Sequence, residues 1–274
     1  MPARELLLRR HDVCVACGAE LPIGTRAWWD RTSRTVTCTE CWPGDAPGSQ
    51  PPTVSASEVE VGKPGASLDR EYERRKSNRE QRIRQAHPRI GGLLLALGDS
   101  PQHELSFRQG AAGERAVADA LTTRTADTAV VTLHNRRMPG GRGDIDHIAI
   151  TPRGVYVVDT KDWEGKVEIQ SPWFGAPKLV IRGRDCTKLI DGLERQIAAV
   201  RSALDREDHT EIPIRGALCF TRADLPFLRT QTIRGHVLVY RKALTKRLNA
   251  SGPLQPLRIE ELERHLAAAL PPAR

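Results

Sequence analysis

Between Asp144 and Lys161 two runs rich in Ile and Val, Ile145–Ile150 and Val155–Val158, flank the polar and turn-forming stretch Thr151-Pro152-Arg153-Gly154. The pattern predicts two short strands joined by a tight turn. Pro152 presets φ for the second turn position and Gly154 suits the last, as a type I turn prefers. Because side chains alternate faces, Asp144, Asp146, Ile148 and Ile150 share one face of the first strand. Val155, Val157, Asp159 and Lys161 share one face of the second. With residues 151–154 as the loop, Ile150 faces Val155, Asp146 faces Asp159 and Asp144 faces Lys161. The aliphatic run Val155–Val158 predicts burial on both faces.

Helical spacing appears on either side of this hairpin. Phe107–Leu121 carries Glu114, Val117, Ala118 and Leu121 at i, i+3, i+4 and i+7. Glu114 thus lies on or beside an apolar face, where a lone carboxylate is costly unless paired or liganding. Thr187–Leu204 repeats the pattern with Leu189, Leu193, Ile197, Val200 and Leu204, and Gln196 sits at the edge of that face. Further strands are expected at 128–133, 166–170, 178–182, 217–221 and 236–240, with helices at 242–248 and 259–270. His134–Arg142 reads as a mobile loop. The order defines an α/β domain with a mixed central sheet, starting near residue 103 and running to 274.

Upstream the pattern changes. Residues 43–67 are rich in Pro, Gly, Ser and Ala, so a flexible linker is expected over 44–68. Residues 69–102 open as a charged, helix-favouring stretch with almost no apolar stripe. Its excess of Arg and Lys makes it either a phosphate-contacting arm or a solvated connecting helix.

Residues 10–43 form a separate module. Cys14-Val15-Ala16-Cys17 and Cys38-Thr39-Glu40-Cys41 are two CxxC pairs, a spacing that suits four thiolates on one tetrahedral zinc ion; the competing reading, disulfides or a redox pair, is disfavoured by the absence of a secretion signal. Gly18 supplies the permissive backbone a knuckle needs, and 26–30 and 34–37 read as hairpin strands. So small a module lacks a sufficient core, and the metal supplies the missing free energy. With all four positions taken, the site is expected to be structural. Trp28, Trp29, Arg26, Arg31 and Arg34 could contact nucleic acid or pack on the main domain. Cys186 and Cys219 read as ordinary small buried residues.

The chain has 274 residues, 39% apolar and only 4% aromatic, so its core must be aliphatic. Its net charge of +8 and pI of about 9.5 favour a polyanionic partner, nucleic acid first. The longest greasy run, Ile90–Leu97, is too short to span a membrane, and 1–10 lacks the hydrophobic region of a signal peptide. A cytoplasmic location is the expectation, with no membrane partner.

Two carboxylates facing across strands, at about 5 Å and an effective dielectric of about 20, repel by roughly 3 kcal/mol. A divalent cation between Asp146 and Asp159 converts that repulsion into coordination, and Lys161 beside it can hold a water or a phosphate oxygen. The alternative is a solvated hairpin face with one Asp–Lys pair. Asp144 is an additional possible metal ligand. His147 points to the opposite face and reads as a satisfied core residue.

Gly113-Glu114-Arg115-Ala116-Val117, Asp144-Ile145-Asp146-His147-Ile148 and Gly154–Lys161, with the Gln196 helix and Gly216–Thr221, together resemble the nuclease-related domain (NERD) family of the PD-(D/E)xK nuclease superfamily. The resemblance covers roughly residues 105–245. It implies a restriction-endonuclease-like core and hydrolysis of phosphodiesters, DNA first, with Mg²⁺ or Mn²⁺. By that resemblance Asp146 and Asp159 are the metal-binding acids, Lys161 the motif lysine, Glu114 the first-helix acid and Gln196 the glutamine of the second core helix. Asp159 is one methylene shorter than the Glu of many relatives. Since fold does not fix activity, two other readings stand beside the nuclease: a non-catalytic nucleic-acid-binding protein and a protein-interaction scaffold.

Overall fold

The computed structural model describes residues 4–8, 11–30, 35–42, 59–97, 101–140, 143–171, 175–206, 209–226 and 230–273. They belong to two compact units, Met1–Ser57 and Glu58–Arg274. Arg31 and Arg34 of the first unit lie outside the described residues, as does 44–58 of the expected linker.

In the first unit, β1 (Arg4–Leu7), β4 (Arg26–Asp30) and β5 (Thr35–Cys38) form an antiparallel sheet, and β2 (Asp12–Val13) pairs with β3 (Glu20–Leu21). Its core is little more than Leu8, Cys14, Leu21, Ala27 and Val36.

The second unit is a mixed α/β sandwich. Its strands are β6 (Val131–Arg137), β7 (Asp144–Thr151), β8 (Gly154–Gln170), β9 (Lys178–Ile181), β10 (Arg184–Asp185), β11 (Ile214–Asp224), β12 (Gln231–Ile233) and β13 (His236–Tyr240). On one side of β8 lies β11, parallel, followed by β13 and β12. On the other side two different strands share β8. β7 pairs with its first part, from Thr151–Gly154 to His147–Val158, and β9 takes over only at Val167. Among the described residues, none pairs with 159–166 on that side, between these ladders.

Helices cover both faces. α4 (Lys188–Asp205) and α6 (Pro256–Ala269) bury Ile190, Leu193, Leu262 and Leu266 against Ile148, Ile150, Val155 and Val157. α3 (Gln102–Thr125) and α5 (Arg241–Leu248) bury Val117, Leu121, Leu244 and Leu248 against Ala149, Tyr156 and Val158. β8 therefore has apolar residues on both faces, as its sequence predicts, because both faces are roofed. Gly113 permits the tight approach of α3: a Cβ there would stand 2.7 Å from Asp162 Cβ.

The hairpin register matches the sequence expectation for every pair that forms, but the turn is shorter. Thr151 pairs with Gly154, leaving Pro152 and Arg153 as the turn. The ladder ends one residue short of the carboxylates, so Asp146 and Asp159 are not a backbone pair. Asp144 is aligned with Arg137 of β6, not with Lys161.

Two further expectations change. His134–Arg137 is no loop but the second half of β6, with His134, Asn135 and Arg136 all buried. The segments expected at 155–161 and 166–170 are one continuous strand, which passes Gly165 at φ 97°.

α1 (Ala66–Ala86) packs along α3 and is not a free arm. It places Arg115 Nη1 2.7 Å from Asp69 Oδ2 and Arg79 Nε 3.1 Å from the buried Glu104 carboxylate. α2 (Gly91–Leu97) follows it. Residues 59–65, within the expected linker, lie on the domain: His134 donates its amide to Val61 O at 2.7 Å. They pack because β6 is an edge strand with unpaired backbone groups. The C-terminal tail uses the same edge, Arg137 N donating to Pro271 O and Ala273 N to Asn135 O.

Among the described residues, no helix is long and apolar enough to cross a membrane.

Candidate metal centre and its surroundings

The candidate centre lies where β7 leaves β8. With no ladder to continue, the amide of Thr160 donates to Asp146 Oδ2 at 2.7 Å. Asp159 points to the α4 face, where Gln196 Nε2 donates to its Oδ1 at 3.4 Å. Lys161 Nζ lies 2.7 Å from Asp159 Oδ2. Glu114 approaches from α3, and the amide of Gly65 donates to its Oε2 at 2.9 Å. Five sequence-predicted residues from four elements thus converge. Gln196 faces inward and is 8% exposed, so its helical face is centred on Ile190, Leu193, Gln196 and Val200 and not on the edge expected for Gln196.

Thr160 is braced from behind. Its Oγ1 lies 3.2 Å from His147 Nε2, and His147 Nδ1 lies 2.8 Å from His134 Nδ1. Burial drives both imidazoles down, His134 to about 4, so both stay neutral. One ring nitrogen of the pair donates and the other accepts. His147 is a satisfied core residue, as its position on the opposite face implies.

The electrostatics reflect crowding of like charge away from water. Burial pushes Glu114 up to about 7, opposed first by the Gly65 amide and then by Lys161, and helped by the charges of Asp159 and Asp144. Asp146 is raised well above the ordinary carboxylate range by burial and by the charges of Glu114 and Asp159. Burial alone would lower Lys161, but Asp159, Asp146 and Glu114 outweigh it and hold the ammonium above its usual value.

The donor set suits a hard cation such as Mg²⁺ or Mn²⁺: carboxylate oxygens together with Gln196 Oε1, which is buried without a hydrogen-bond partner. The carboxylates are not drawn to one point. Among the described residues, only the cysteine quartet gathers three or more such ligand atoms within 4.8 Å of one another. Lys161, bonded to Asp159, stands among the carboxylates as their neutralising charge. Asp144 is half-buried and lines a neighbouring cleft, and its charge still reaches Glu114.

The quartet itself is Cys14, Cys17, Cys38 and Cys41. Gly18, at φ 72°, donates its amide to Cys14 O to close the first knuckle, and Cys41 N donates to Cys38 O in the second. The amide of Cys38 donates to Cys14 Sγ and holds that thiol down to about 6, while the neighbouring thiols push Cys41 up to about 12. The four side chains can hold one zinc ion. Trp28 is engaged within the module, stacked on Trp42 at 4.8 Å. Trp29 packs on the module's small core. Cys219 is buried in the α3-side cluster and pushed up to about 12 by desolvation, so it is no nucleophile.

The second unit is thus a mixed sheet roofed by helices, with acids and a lysine at a break in strand pairing. Residues 109–221 match the family model of the nuclease-related domain, NERD. Searches of curated proteins and of solved structures gave no match.

Proposed function

We propose that the chain is a divalent-metal-dependent nuclease that hydrolyses phosphodiester bonds of nucleic acid, DNA first. The observation that carries the reading is the meeting of Asp146, Asp159 and Lys161 at the place where β7 and β8 part. Asp146 and Asp159 would hold Mg²⁺ or Mn²⁺, with Glu114 beside them. The ion would polarise the scissile phosphate and acidify a bound water. Lys161 would exchange its bond to Asp159 for the phosphate and the attacking oxygen, offsetting charge in the transition state. Gln196 orients Asp159, and the Thr160 amide fixes Asp146. Zinc in the cysteine quartet would be structural.

The charge distribution supports nucleic-acid contact through the second unit. Met1–Ser57 contains six arginines and no lysine against six Asp and Glu, so the whole net charge of +8 belongs to 58–274. Four zinc-bound thiolates would make the first unit net negative. This favours a structural or protein-contacting part for it over a phosphate-contacting one.

Cleavage of labelled linear, single-stranded and branched DNA with Mg²⁺, with Mn²⁺ and without added divalent metal tests the proposal. Metal-dependent cutting that disappears in Asp146→Ala and Lys161→Ala is expected. Full cutting by either variant, or binding without cutting in every metal, overturns it.

A further inference from the structure

α1 lies outside the segment that matches the nuclease-related domain, yet its first turns border the candidate centre. One face of α1 presents Ser67, Arg70, Glu71 and Arg74 to a cleft of about 500 Å³ whose other walls are Arg137, Asp144 and Ala273. Its volume falls in the range of small-ligand sites, roughly 300–1,000 Å³. Asp144 stands two residues before Asp146 on β7, a separation of roughly 7 Å along a strand.

Three guanidinium groups converge there, each in a different state. Arg70 is braced: its Nη2 donates to Ser67 Oγ and to Ala273 O, both at 3.1 Å. Arg74 is held forward by Glu71, to which it donates from Nε at 2.8 Å and from Nη2 at 2.7 Å. Glu71, bonded by Arg74 and Arg75, is held down at about 2 and stays ionised. Arg137 is exposed, and its guanidinium has no partner among the described residues. Such a braced fork and a free fork match the geometry of a phosphate, which accepts paired N–H bonds.

We infer that this cleft seats a backbone phosphate of the nucleic-acid strand, next to the scissile phosphate that a metal ion held by Asp146 and Asp159 would engage. Arg137 is its principal contact, and Arg70 and Arg74 form the wall. The inference rests on the proposed nuclease reading for its substrate. It assigns to α1 a part of the strand-binding track that the matched segment alone does not contain.

The test measures binding of a short fluorescein-labelled duplex, and of its single strand, to the full chain without added Mg²⁺, across a salt series. Arg137→Ala, Arg137→Lys and Arg74→Ala are compared with Arg84→Ala, a charge loss near the far end of the same helix. Arg137→Ala is expected to weaken binding about tenfold at low salt and to lower the log–log salt slope by about one. Arg137→Lys should recover part of the affinity, and Arg84→Ala should match the wild type. In any metal that supports cutting, Arg137→Ala should raise KM more than it lowers kcat. Wild-type binding by Arg137→Ala, or equal losses in Arg137→Ala and Arg84→Ala, overturns the seat even if the protein cuts. Loss confined to the cleft variants in a protein that never cuts upholds the seat and removes the nuclease reading. No wild-type affinity for either strand form overturns the seat as well.

Discussion

Gly65 donates its backbone amide to Glu114 Oε2 at 2.9 Å, joining the segment before α1 to an acid of the candidate metal centre. That bond sits in a region where Glu114 is pushed up to about 7 by burial. In the folded chain Glu114 keeps its proton to about pH 7, whereas the unfolded carboxyl loses it near 4.5. The folded state binds more protons across that window, so stability falls as pH rises from about 4.5 to about 7. Glu114 alone contributes a loss of up to about 3 kcal/mol, and raised Asp146 adds a slope of the same sign. Glu114→Gln should flatten the slope, raising Tm at pH 8 but not at pH 5. Thermal melts without added divalent metal measure it; parallel pH profiles for variant and wild type would refute it.

Mg²⁺ should reverse that pH dependence. A cation held by ionised carboxylates binds better as they lose protons. Addition of Mg²⁺ should therefore raise Tm more at pH 8 than at pH 5, and Asp146→Ala should abolish the difference. A Mg²⁺ response that survives Asp146→Ala would place the ion elsewhere.

Arg136 is fully buried, and its guanidinium donates to Leu270 O and Glu60 O at 2.5 Å and to Ala267 O at 2.7 Å. Arg136→Ala orphans three carbonyls and opens a cavity. Urea unfolding should show a loss of about 3–5 kcal/mol. A loss below about 1 kcal/mol would mean that the carbonyls find other donors.

Gly113→Ala should cost about 1–3 kcal/mol by forcing α3 away from Asp162. Because Glu114 is the next residue, metal-dependent cutting should fall with it. Unchanged stability and activity would mean that Asp162 yields. It is itself tied down, accepting hydrogen bonds from Thr221 Oγ1 and, at 3.0 Å, from Arg222 Nε.

Zinc release should be visible through Trp28 and Trp42, whose rings stack at 4.8 Å with the planes 13° apart. A chelator, or Cys14→Ser with Cys17→Ser, should abolish their exciton-coupled circular dichroism, with about one zinc per chain released. Persistence of the signal after metal loss would show that the small core folds without it.

The hairpin, the α3 and α4 stripes and the cysteine quartet were legible because each is a local pattern: a period, a turn residue or a spacing. What escaped the sequence depends on non-local partners. His134-Asn135-Arg136 looks like a polar loop, since charged and amide residues rarely enter a buried strand. It is a strand because residues from both ends of the unit, Val61, Ala267 and Leu270 among them, supply its hydrogen-bond partners. Likewise the strand alternation predicts that Asp146 faces Asp159, but nothing in that alternation shows that pairing stops at His147 and Val158. Only the exchange of β7 for β9 along β8 reveals that. Gln196 interrupts an apolar stripe, and that interruption was the signal available for its role.

The three carbonyls on Arg136 also set the limits of what can be cut away. Glu60 lies before α1, and Ala267 and Leu270 lie at the end of α6. A fragment trimmed to 109–221 would strand an arginine in the interior with all three partners missing and leave the edge of β6 bare. The smallest independently folding piece should therefore reach from about residue 59 to 273. The family match spans residues 109–221; the closure of the fold is tied by residues on both flanks of it.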